Sequence, residues 1–166
     1  MRKLILFLLL FSASMLNSYS QELPKVKHIK LNKKSHYKSA EPEVLKLVNY
    51  LFETPIDSKN YTRKEAGEFL IKWMNGTPDY VFVLEDKEIN YFNTDADLML
   101  IYMAGLTKFT LQHPTIKDQK QLIIGTMKLV LPYLDQQVDK KNWSNQLWQL
   151  NDANLKNRLE GFLYPN

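Results

Sequence analysis

Nine consecutive residues, "LMLIYMAGL" from Leu98 to Leu106, carry no charge and are apolar around the whole circumference of a helix. A helix with a single apolar stripe can lie on a surface, whereas one that is apolar all round has to be enclosed. The stretch therefore predicts the central helix of a bundle. Lys108 ends the apolar run well short of the roughly 20 residues a membrane span needs, so enclosure by lipid is excluded. Thr94 as cap, with Asp97 three residues later, marks the start of this helix, and His113 ahead of Pro114 marks its end.

Helical periodicity continues on both sides. Ser39 is the expected N-cap of a first helix, with Glu41, Pro42 and Glu43 in its first turn, an apolar face of Val44, Leu47, Val48, Leu51 and Phe52, and a stop before Pro55. Thr62 and Glu65 form a capping-box pattern ahead of the stripe Ala66, Phe69, Leu70, Trp73 and Met74. Asn75 and Gly76 tolerate the left-handed conformation that closes a helix, and Pro78 keeps it from resuming. "VFVL" and "INYF" then flank the polar "EDKE", which reads as a short hairpin or an extended crossing segment. A fourth helix is expected over residues 117 to 138, shortened or kinked at Pro132. The C-terminal part places Trp143, Leu147 and Trp148 before a turn at "LND", followed by Leu155, Leu159, Phe162 and Leu163 at helical spacing. Together these predict an all-α fold: a compact bundle of five or six helices with one short extended or hairpin segment near residues 80–92. Gly67, Gly105 and Gly125 fall inside predicted helices, where glycine costs about 1 kcal/mol relative to alanine. Close approach between helices is the simplest compensation.

The N-terminus points to export. Arg2 and Lys3 precede the apolar run Leu4 to Phe11, and Ser18 and Ser20 put small residues three and one positions before Gln21. Residues 1–20 are expected to be a signal peptide and residues 21–38 a basic arm, with residues 39–166 as a single helical domain. The chain has no cysteine, so neither disulfides nor thiolate metal sites are open to it, and a bacterial periplasm or cell exterior fits better than a eukaryotic secretory route. The arm carries Lys25, Lys27, Lys30, Lys33, Lys34 and Lys38 against the single acid Glu22. Its bland role is that of a solvated tether; its functional role would be contact with a polyanion or an anionic lipid surface.

Sequence patterns for catalysis are missing. There is no HExxH, GxSxG or phosphate-cradling glycine loop, and no catalytic, cofactor-binding or metal-binding residue is predicted. "NTDAD" has the spacing of a calcium loop's start, but Leu98 stands where its glycine is needed and Ala104 where its bidentate glutamate belongs. Asp79, Glu85, Asp86 and Glu88 are close in sequence, yet acid–base catalysis needs two carboxylates in differentiated surroundings. His28 and His36 lie in the arm, and His113 is expected to cap helix-end carbonyls. The tryptophans and Tyr102, at helical spacing among leucines, are expected to fill the core.

The pattern "EAGEFLIKWMNGTPDYVF" followed by "LMLIYMAGLTKFTL" resembles small exported proteins of unknown function from Bacteroidota, over about the middle half of the chain. The resemblance implies compartment and helical architecture and brings no activity. The expected function is a non-enzymatic interaction or ligand-binding module of the cell envelope, with an envelope protein or an anionic surface as partner through the arm. Specific nucleic-acid binding is not expected, nor is a membrane span after processing. The alternative is a hydrolase whose carboxylates no motif marks; two acids with raised pKa facing each other in a concave pocket would support it.

Overall fold

No side chain from Leu98 to Thr107 is exposed in the computed structural model, which describes residues 26–137, 140 and 143–165. The expected signal peptide, Lys25 and Val138 lie outside the described residues. After a 3-10 turn at Val26–His28 the described residues form seven α-helices: α1 Lys34–Glu53, α2 Tyr61–Gly76, α3 Asp86–Phe92, α4 Ala96–Gln112, α5 Gln119–Gln137, α6 Asn145–Leu155 and α7 Leu159–Leu163. The described residues contain no strand, so the all-α expectation holds. Helix α4 is the hub, packing on α1, α2, α3 and most extensively α5. Helix α5 in turn carries α6, which holds α3 and α7.

The pairing of α4 with α5 explains two of the helical glycines. A Cβ built on Gly125 would fall inside the Phe109 ring of α4, and one on Gly105 would collide with Val130 of α5. Each helix thus receives the other's side chain where it has none of its own. Gly67 plays a similar part toward Leu100, whose nearest methyl would lie 3.0 Å from an added Cβ.

The carboxyl end of α1 is closed from two directions. The Arg63 guanidinium, only 1% exposed, donates to the carbonyls of Leu51 at 2.9 Å and Thr54 at 3.0 Å, and to Thr54 Oγ1 at 2.7 Å. The Tyr133 hydroxyl donates to the same two carbonyls at 3.1 and 2.7 Å. A cation is favourable at this end of a helix dipole, which helps to offset the burial of the charge.

Several local expectations are corrected. Helix α1 begins at Lys34, not at Ser39, whose hydroxyl instead donates to the His36 carbonyl from within the helix. The arm is consequently not separate from the domain from Val26 onward: Val26 and Leu31 are buried in the core, and Trp73 Nε1 donates to the Tyr37 carbonyl at 3.0 Å. Asn60 caps α2 in place of Thr62, and Asp95 caps α4 in place of Thr94. Gly76 does not adopt a left-handed conformation; α2 closes through Thr77 at φ −65°, and the position is small because the Tyr37 ring lies against it. The hairpin does not form. Residues 77–85 cross in extended or irregular conformation, and "INYF" belongs to α3, whose first turn holds Asp86 and Glu88 where the dipole favours acids. Helix α5 continues through Pro132, and α6 runs through "LND", where buried Asn151 donates to Asp135 at 2.9 Å. The C-terminal break comes at Asn157, φ 54°, with the Arg158 amide donating back to the Ala153 carbonyl at 2.8 Å.

Candidate functional site

Because α1 starts six residues earlier than its capping pattern suggests, Lys34 and Lys38 stand one turn apart on a helix. They line a groove of about 680 Å³ together with Ser35, Pro78, Asp79, Tyr80, Pro114 and Lys117. Lys117, from the loop before α5, lies 5.9 Å from the Tyr80 ring centroid. Sequence distance hides this third lysine: Pro114 and Lys117 reach the groove only because α4 returns its C-terminal end beside the start of α1. Lys30, Lys33, Lys34 and Lys38 are all exposed. Of the other two arm lysines, Lys27 contributes its backbone to the 3-10 turn and Lys25 lies outside the described residues.

The groove is basic but not uniformly so. Lys38 Nζ bonds both Glu41 oxygens, at 3.1 and 3.0 Å, and this hydrogen bond raises its pKa. Burial, then Glu41, pushes the Tyr80 hydroxyl up, so that it is a neutral donor at physiological pH. Lys33 caps α1 with no side-chain hydrogen bond, and the first turn of the helix holds no acid. Lysine at a helix N-terminus is disfavoured by the dipole. An anion placed there would relieve both.

A second groove, of about 740 Å³, separates α6 from α7 and is lined by Trp148, Ala153 and Phe162, with Gln149, Asp152 and Arg158 at its rim. Trp148 is 44% exposed, contrary to the expectation that the tryptophans fill the core; Trp73 and Trp143 do so. Its ring sits 5.3 Å from that of Trp143, and Lys140 Nζ is 5.7 Å from each centroid.

The acids do not assemble into a catalytic pair. Burial is the main cause raising the pKa of both Glu88 and Asp97; Glu85 adds to the first, Asp95 and Asp57 to the second. Neither influences the other, and neither lines the two grooves. Of the acids close in sequence, Asp79, Glu85 and Asp86 are exposed while Glu88 is buried. Among the described residues no three His, Asp or Glu side chains are grouped to hold a metal ion. His113 Nδ1 lies 3.0 Å from the Phe109 carbonyl, the capping contact its position suggests. No family model, curated protein or solved structure matches the chain.

Proposed function

We propose that this protein is an exported, non-enzymatic binding module of a bacterial cell envelope, which meets an anionic surface through its basic N-terminal face. The observation that carries the reading is the exposure of Lys30, Lys33, Lys34 and Lys38 around a helix start with no acid in its first turn, two of them, Lys34 and Lys38, sharing a groove with Lys117. The body beyond the arm has 14 basic and 17 acidic residues and offers no general attraction of its own. Lysines close to an anionic surface contribute about 1 kcal/mol each, so a cluster of this size supports reversible attachment.

Vesicle co-sedimentation tests it. The chain starting at Gln21 should bind phosphatidylglycerol vesicles at low salt and not phosphatidylcholine vesicles. Joint substitution of Lys30, Lys33, Lys34 and Lys38 by glutamine should weaken binding at least about tenfold, and binding should fade as the screening length shortens to about 8 Å near physiological salt. Competition by soluble polyphosphate would identify phosphate chemistry rather than the bilayer as the target. Equal binding by the parent and the glutamine variant would overturn the proposal.

Export has its own check. N-terminal mass spectrometry of the protein from the producing cell should find Gln21 as the first residue, as Ser18 and Ser20 predict. A mature fraction beginning at Met1 would remove the envelope from the proposal.

A further inference from the structure

Arg63 and Glu88 are both buried, and the Arg63 Nη1 has three oxygen partners at a helix end while its Nε and Nη2 have none. Glu88 is 2% exposed, and its Oε2 has no hydrogen-bond partner among the described residues. Its charge acts on three tyrosines: Tyr91 from α3 itself, Tyr102 from α4 and Tyr164 after α7. The Tyr102 hydroxyl is likewise buried without a partner. Glu85, just before α3, adds negative charge. The cation acting on Glu88 is Lys87, whose ammonium is turned to the Leu163 carbonyl and lies 5.0 Å from the Tyr164 ring centroid. Helix α6, which also packs on α3, supplies none of the charges acting on the carboxyl.

A carboxylate with one oxygen left without a partner in such a place is expensive, and its burial outweighs the backbone hydrogen bond that favours the charged form. Helix α3 has only seven residues, is preceded by the irregular segment 77–85, and touches the bundle through α4 and α6. We propose that α3 is a proton-operated clasp: it seats with Glu88 neutral, and loss of that proton loosens both the helix and the C-terminal segment that Lys87 ties to it. Lifting it would break the Phe92–Tyr102 stack, whose centroids are 4.8 Å apart, and uncover Tyr91 and Phe92, both now buried. The proposal is independent of the anionic-surface reading.

Burial raises the carboxyl pKa in the folded protein, with Glu85 reinforcing the effect. The folded state therefore binds more protons than the unfolded one, and stability is lost as pH rises from the ordinary glutamate range through the raised value. Within that window the opening constant of α3 should grow toward about tenfold per pH unit, the slope for one proton. Hydrogen exchange by mass spectrometry from pH 4.5 to 8, corrected for intrinsic rates, reads this directly in peptides covering residues 86–92. Opening should rise with pH in the parent, by no more than about tenfold per pH unit, with α4 and α5 unaffected, and stay flat and low in Glu88→Gln. Glu85→Gln, at an exposed position, should shrink the rise by lowering the Glu88 pKa, and provides the test if the first variant does not fold. A parent profile flat with pH, a Glu88→Gln profile matching the parent, or no change in Glu85→Gln would overturn the clasp.

Discussion

Gly125→Leu is expected to destabilise the protein by about 3 kcal/mol in chemical denaturation, the upper end of the range for overpacking. The Phe109 ring already occupies the space that even a Cβ would need. To withdraw, that ring has to give up its stack on the His113 ring, at 4.2 Å between centroids. Gly125→Ala should show the same conflict in miniature: the gain in helix propensity of about 1 kcal/mol is opposed by contact with the ring. Lys128→Leu, exposed on the same helix, should change stability by no more than about 0.5 kcal/mol. A leucine variant as stable as the parent would mean that α4 and α5 do not meet at this point.

A chain beginning at Ser39 is expected to lose far more than a basic tail. It lacks Val26 at 3% and Leu31 at 8% exposure, together with the first turn of α1. It also lacks Tyr37, whose carbonyl accepts from Trp73, whose hydroxyl donates to the Leu31 carbonyl at 3.1 Å, and whose ring covers Gly76. Fully burying a valine or leucine contributes about 1.5–3 kcal/mol, so the two aliphatic side chains alone represent about 3–6 kcal/mol. For a protein of this size that corresponds to a fall in melting temperature of roughly 10 °C or more. The full-length mature chain with its four exposed arm lysines changed to glutamine should melt close to the parent, which separates packing from charge. If the truncated chain melted with the parent, the arm would be the solvated tether that its composition suggests.

The arm illustrates why lysine content misled. Six lysines in a short stretch look like solvated chain, but four of them stand exposed on a segment whose interleaved Val26, Leu31 and Tyr37 pack on the core. The candidate groove was half legible for the same reason. Lys34 and Lys38 are conspicuous in sequence, whereas Lys117 and Tyr80 join them only through the return of α4 and the crossing of residues 77–85. Glu88 was legible as one acid among several near the start of a helix. Its burial, which sets it apart from Asp79, Glu85 and Asp86, was not.

What the sequence determined by itself is whatever short-range physics controls. An all-round apolar run had to be enclosed, Pro55 and Pro114 had to follow helix ends, and glycine in mid-helix had to be compensated by contact. The tertiary structure decided between local states of nearly equal energy. Thr62 or Asn60 could cap α2, Thr94 or Asp95 could cap α4, and "INYF" has apolar residues that suit a strand or a helix; these choices differ locally by about 1 kcal/mol. Burial of Tyr91, Phe92 and Glu88 against α4 and α6, with no partner strand for "VFVL", outweighs such differences and makes residues 86–92 a helix. The same burial leaves an acid without a partner for one oxygen, an outcome no local pattern encodes because it depends on which helices close around it.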